Sequence, residues 1–143
     1  MFERVFLDAN VLADLYDETR LYHSYSLKAV SDLLGRESVE LFTSCDIITT
    51  IYYIESKRDK KMALEHIREI NGWCTIVEFG NNEVEESCRL MRGNGAFDDL
   101  EDALQYVMAR KVGADLIFSN DTGFVSDGIP VMRADAFCES HRV

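Results

Sequence analysis

Two rhythms of apolar residues alternate along this chain. Short continuous runs at 4–7, 39–44, 74–79, 114–119 and 129–132, such as Val5-Phe6-Leu7 and Leu116-Ile117-Phe118, have the length of buried strands. Between them the apolar positions recur every three or four residues. Leu27, Val30, Leu33 and Leu34 predict a helix over 23–35, and Ile47, Ile48, Ile51 and Ile54 one over 45–57. Met62, Leu64, Ile67 and Ile70 mark 61–71; Val84, Cys88 and Met91 mark 82–91; Leu100, Ala103, Leu104 and Val107 mark 98–112. Shorter helical pieces follow Asp8 (11–16) and close the chain (134–139). Gly35, Asn71-Gly72 and Gly113 are natural stops. Glu55, one position round from Ile54, is expected to be an exposed helix charge beside Lys57 and Arg58. Strands alternating with helices predict a single α/β domain over 1–143, a parallel sheet of about five strands with helices on both faces.

The composition agrees with one folded domain: 143 residues, 47% hydrophobic, with a single proline. Cys45, Cys74, Cys88 and Cys138 form no C-x-x-C pair, and His23, His66 and His141 are equally scattered, so no zinc spacing is present. Core thiols in a reducing, cytoplasmic compartment are the expectation. No window has transmembrane length, and no membrane association is expected. The net charge of −11 argues against a module that simply coats nucleic acid, because phosphate binding rests on Lys and Arg. A nuclease whose metal supplies the positive charge escapes that objection. The one basic run, Lys57-Arg58-Asp59-Lys60-Lys61, is either a solvated turn or a place for phosphate contacts. Tyr22, Tyr25, Tyr52 and Tyr53 are either interface or core aromatics, with core packing favoured for Tyr52 and Tyr53.

The acids are the informative feature. Phe97-Asp98-Asp99-Leu100-Glu101-Asp102-Ala103-Leu104 places four carboxylates in six residues at a helix start. Asp98-x-x-Glu101 has the form of a capping box and needs no chemistry. Asp99 is partly explained by the helix dipole, and Asp102 is left over. Asp99 and Asp102, three residues apart, share a helix side. Asp8 follows the first strand and Asp121 lies just past the fourth, at the strand ends where open α/β sheets bind ligands. Asp8 serves equally well as a plain helix N-cap on this reading. If Asp8, Asp99, Asp102 and Asp121 converge, their mutual repulsion calls for a cation, and an all-oxygen set suits Mg²⁺ or Mn²⁺. Hydrolysis of a phosphodiester is the matching reaction.

Three segments together, Phe6-Leu7-Asp8-Ala9-Asn10-Val11-Leu12, Asp99-Leu100-Glu101-Asp102-Ala103-Leu104-Gln105 and Ile117-Phe118-Ser119-Asn120-Asp121-Thr122-Gly123-Phe124, resemble the PIN-domain nucleases, in particular their VapC-like toxin branch. The resemblance implies a Mg²⁺- or Mn²⁺-dependent endoribonuclease acting on RNA, the toxin of a type II toxin–antitoxin pair, with an antitoxin protein as partner and a homodimer as assembly. It assigns metal binding to Asp8, Asp102 and Asp121, an additional acid to Asp99, and supporting positions to Asn10 and Ser119. One departure stands out. Many members carry a glutamate where this chain has Thr50, and Glu55, about 7.5 Å further along the helix axis, is a poor substitute. The alternative reading is therefore a weak or inactive PIN-fold module that binds RNA or a protein.

Overall fold

The computed structural model describes residues 2–143. Its elements run β1 (Arg4–Leu7), α1 (Ala9–Tyr16), α2 (His23–Leu34), β2 (Glu40–Ser44), α3 (Cys45–Glu55) and α4 (Lys60–Trp73). They continue with β3 (Thr75–Val77), α5 (Asn81–Gly93), α6 (Leu100–Lys111), β4 (Leu116–Phe118), β5 (Val131–Met132) and α7 (Ala134–His141). The five strands form one sheet in the order β3-β2-β1-β4-β5, and every pairing is parallel. β1 is the central strand, so the chain emerging from it is flanked by the ends of β2 and β4. Parallel strands all point their C-terminal ends to one edge, and neighbours lie about 4.8 Å apart.

Alternation along β1 and β4 divides the core in two. Val5, Leu7, Leu116 and Phe118 face α1, α2, α3, α4 and α7, while Phe6 and Ile117 face α6 and the inner side of α5. Both sheet faces are covered, which is why these strands read as unbroken apolar runs. β1 fills its apolar run and β2 nearly so, while β3 and β4 are shorter than theirs because the outer residues of those runs lie in the adjoining loops. Ser44 is already the N-cap position of α3, and Asp8 that of α1. Gly113, in a left-handed conformation at φ +66°, makes the tight exit from α6 toward β4.

The helical faces differ from the periodicity in instructive ways. On α2 the buried residues are Ser26, Ala29, Val30 and Leu33, whereas Leu27 and Leu34 are each 45% exposed. On α4 the buried positions are Ala63 and Ile70, and Met62 and Leu64 lie outside. Small residues fill the close approaches here, and apolar periodicity weights large ones. α6 departs in the other direction. Besides Ala103, Leu104 and Val107 it buries Gln105, Tyr106, Met108 and Ala109, since it lies between the sheet and α5.

Glu55 corrects an expectation outright. It is 4% exposed, and its Oε2 pairs with His66 Nδ1 at 2.8 Å between α3 and α4. Tyr16 stacks on the His66 ring with centroids 4.1 Å apart, closing this contact from the α1 side. The α3–α4 turn folds over Glu55, which no local pattern reveals. Tyr53, by contrast, is 65% exposed and does not join the core, while Tyr52 is half-buried. All four cysteines are free thiols, Cys74 and Cys138 buried and the other two half-buried. No helix among the described residues is long and apolar enough to cross a membrane.

Phe6, with no exposed surface, anchors the face under α6, so Phe6→Ala should cost about 3–5 kcal/mol of unfolding free energy. Leu27→Ala, on the open side of α2, should change it by no more than about 0.5 kcal/mol. Urea unfolding of the two variants checks this division, and equal losses would contradict it.

Candidate active site

The site is built outward from Asp8. This residue lies at the C-terminal end of the central strand, is 4% exposed, and caps α1 by accepting the Ala9 N–H at 2.7 Å through Oδ1. The N-cap reading of Asp8 therefore holds, and it engages only one of the two carboxylate oxygens. One oxygen serves the cap, and the other, Oδ2, accepts from Ser119 Oγ at 2.7 Å and from Asn10 Nδ2 at 3.0 Å. Ser119 also accepts the Asp121 N–H at 3.1 Å. Asn10 Oδ1 takes the Asn120 N–H at 3.0 Å. These bonds stitch the residues after β1 to those after β4.

Asn120 extends the brace inward. Its amide donates to Asp14 Oδ2 at 2.6 Å and Ser26 Oγ at 2.9 Å, and its Oδ1 accepts the Ala134 N–H at 2.9 Å. Asp14, also buried, is further paired with Arg20. The loop that delivers Asp121 is thus tied to α1, α2 and α7. Asp121 itself is exposed, with Oδ1 accepting the Gly123 N–H at 2.8 Å.

The acidic helix start supplies the opposite wall, with a shifted boundary. Asp99, not Asp98, is the N-cap of α6, and its Oδ1 accepts the Asp102 N–H at 3.0 Å. Asp102 is consequently at the third helical position, inside the first turn. The capping box drawn from Asp98 and Glu101 does not form. Phe97, 3% exposed against Tyr106, seats the chain so that the helix begins one residue later. Asp99 thus carries the capping role while standing among the site acids.

Electrostatics show which carboxylates gather. Asp102 is half-buried, and its carboxyl is pushed up to about 7, first by burial and then by the charges of Asp8, Asp99, Asp121 and Glu101. Asp8 is also raised, mainly by burial and further by Asp121, although the Ser119 and Ala9 donors oppose the shift. Glu101 is raised by partial burial and then by Asp46, Asp8 and Asp99. The helix dipole favours ionised acids in a first turn, and here burial and mutual repulsion outweigh it. Asp8, Asp99 and Asp121 therefore lie near enough to Asp102 for their charges to act on it, with Asn10 and Ser119 bonded directly to Asp8.

Two acids escaped the sequence reading. Asp46 lies two residues beyond the end of β2, on the strand next to β1. Continuing the Phe6–Phe42 register sets Asp8 beside Ser44. Ser44 Oγ donates to the Asp46 carboxylate, and Asp46 acts on Glu101 across the edge. Thr50, the departure noted above, bonds Oγ1 to the Asp46 carbonyl at 3.4 Å, so α3 presents its acid one turn before the threonine. The signal was available: Asp46 follows a strand end as Asp8 and Asp121 do. Glu101 escaped because the capping box explained it.

The sequence profile of the PIN domain matches residues 5–126. The chain belongs to the PIN-domain family. It is 49% identical over 137 residues to Ribonuclease VapC1 of Aquifex aeolicus, covering 96% of this chain and 94% of that protein. Solved structures share the fold at low identity. VapBC2 from Rickettsia felis bound to a promoter DNA fragment superposes with a TM-score of 0.71 at 13% identity, over 91% of this chain and 98% of that one. Mycobacterium tuberculosis VapC20, a toxin that cleaves the sarcin-ricin loop, gives 0.68 at 16% identity, over 86% and 98%.

PIN domains are associated with divalent metals, and the donors here suit such an ion. They are all oxygens, which hard cations prefer. Gln105, 1% exposed on α6, leaves its Oε1 without a partner while its Nε2 reaches Glu101 at 3.5 Å. Among the described residues no three Asp, Glu, His or Cys side chains are gathered closely enough to hold an ion directly. That fits a cation keeping part of its water shell, which takes only one or two carboxylates.

The raised Asp102 carboxyl makes the metal-free protein sensitive to pH. Its ordinary value is 3.8 and its folded value about 7, so the folded state binds the proton more tightly. The associated stability is complete below about pH 4 and is lost as pH rises through 7. Asp102→Asn should therefore stabilise the protein at pH 8 in chelator, by about 1–2 kcal/mol once solvent screening is allowed for, and hardly at all at pH 4. Urea midpoints at the two pH values measure this, and a variant less stable than the parent at pH 8 would refute it.

Proposed function

We propose that this chain is a metal-dependent endoribonuclease that hydrolyses RNA phosphodiester bonds and acts as the toxin of a toxin–antitoxin pair. The observation that carries the reading is the convergence of carboxylates around Asp102 at the C-terminal edge of the sheet. So many acids, two of them partly or wholly buried, are stable together at neutral pH only with a proton or a cation between them. The 49% identity to a ribonuclease supports RNA as substrate. Superposition on VapBC assemblies supports an antitoxin as partner. Self-association into a homodimer belongs to the same proposal.

Asp8, Asp102 and Asp121 would hold a Mg²⁺ or Mn²⁺ ion, at most two of them directly and the rest through its water shell, with Asp99, Glu101 and Asp46 adding negative charge behind them. When bound, such an ion would supply positive charge to the scissile phosphate and lower the pKa of a water molecule beside it. The chain's own part is orientation. Ser119 and Asn10 fix the Asp8 oxygen that remains after capping, and the Asn120 brace fixes the loop carrying Asp121. Hydrolysis adds water across the P–O bond, leaving a phosphate monoester on one fragment and a ribose hydroxyl on the other. The alternative of an inactive binding module rested on Thr50, and Asp46 weakens it by offering an acid from the same helix.

Purified protein should cleave single-stranded RNA with Mg²⁺ or Mn²⁺ and lose all cleavage in chelator. Asp8→Asn and Asp102→Asn should each reduce the rate at least about 100-fold. Asp46→Asn should reduce it about 10-fold, as expected of a residue outside the ligand shell. Gel analysis of an end-labelled RNA tests all three. Full cleavage by Asp8→Asn would overturn the proposal.

A further inference from the structure

Ten of the 15 Lys and Arg side chains pair with carboxylates of this chain. The five without an ion pair among the described residues are Lys28, Lys57, Lys60, Lys61 and Arg142. Three of these five fall within five residues, at the turn from α3 into α4, and all three are exposed. In a chain of net charge −11, this turn is where positive charge remains free for an outside partner.

The turn is connected to the acid cluster by one stripe of α3. At 100° per residue, Asp46, Thr50 and Tyr53 lie within about 60° of one another around the axis, away from the buried Ile47, Ile51 and Glu55, and Lys57 follows two residues past the helix end. Asp46 marks the end at the candidate active site and Lys57 the turn, with Tyr53 about 10 Å along the helix axis from Asp46. Tyr53 is 65% exposed between them, and the Lys57 ammonium lies 4.2 Å from its ring centroid. An exposed aromatic ring with unpaired lysines beside it is the combination that binds single-stranded nucleic acid, stacking a base while ammonium groups meet phosphates.

We propose that the outer stripe of α3 is a substrate track, along which single-stranded RNA runs from the acid cluster over Tyr53 to Lys57, Lys60 and Lys61. Tyr53 stacks one base two helical turns from Asp46, and the three lysines neutralise phosphates beyond it. The track rests on the nuclease reading for its direction, since that reading places the scissile phosphate at the Asp46 end. It assigns to α3 a holding function separate from cleavage and explains why Tyr53 and the lysines stand unburied. Exposed Ile54 and Met62 lie beside the stripe, so a protein surface is the competing occupant.

Binding of a fluorescein-labelled 12-nucleotide single-stranded RNA, followed by anisotropy in chelator where no cleavage occurs, tests the track directly. The parent should bind with affinity that falls as salt rises. The triple variant Lys57→Gln, Lys60→Gln, Lys61→Gln should bind at least about 10-fold more weakly at low salt, and its log–log salt slope should be shallower by about 2. Tyr53→Ala should weaken binding about 5-fold or more with the slope unchanged, and Tyr53→Phe should restore it. Unaltered affinity in both Tyr53→Ala and the triple variant would overturn the track. So would a variant that binds RNA normally but sediments differently from the parent, which would make this face a protein interface. Cleavage under Mg²⁺ separates the two proposals. Variants that cut and bind like the parent sink the track alone, whereas a parent that binds through Tyr53 but never cuts sinks only the nuclease.

Discussion

Everything at the active edge hangs on the second oxygen of Asp8. A buried carboxylate with unmet hydrogen bonds would cost several kcal/mol, and here three donors from two strand ends meet it. Ser119 and Asn10 are as much clamps between β1 and β4 as supports for an acid. Because β1 is central, holding its end fixes the position from which the other acids are measured. The Asn120 network repeats the arrangement one layer deeper, joining Asp14 and Ser26 to the start of α7.

Against that satisfied centre stands an unsatisfied perimeter. Asp102 and Glu101 hold their protons more tightly than free carboxyls do, from burial and from neighbouring acids, and burial raises Asp8 as well despite its donors. Asp99 shows how the arrangement is built at little structural cost. A helix start wants an acid at its cap, and one residue supplies both the cap and charge beside Asp102. The same economy holds at Asp8. The fold tolerates the repulsion because α6 and α1 are pinned by large apolar cores on opposite faces of the sheet.

α3 joins the two regions of opposite character. Its first turn faces the acids through Asp46, its buried face carries Ile47 and Ile51, and its far end holds Glu55 against His66. The Glu55–His66 pair, with Tyr16 stacked on it, fixes α4 against α3 and so sets where the Lys57–Lys61 turn projects. A residue expected to be a loose surface charge is thus part of the frame that presents the basic turn.

The sequence by itself determined the α/β class and the approximate strand positions, and it marked Asp8, Asp102 and Asp121 as candidates, because apolar periodicity and the placing of acids at strand ends and helix starts are local signals. It also marked the acidic helix start, though not which acid caps it. Asp99 displaces Asp98 through the seating of Phe97 against Tyr106, a contact nine residues away. Asp46 and Glu101 became neighbours only once β2 lay beside β1 and α6 crossed the sheet. Glu55 changed from surface to core for the same reason. Helix faces shifted where Ala29, Ala63 or Ser26 filled a close approach, since small residues reveal their burial only when a second element presses on them. Strand order, and with it the meeting of acids separated by as many as 113 positions, was decided by tertiary packing alone, because parallel neighbours are chosen by which buried faces fit together.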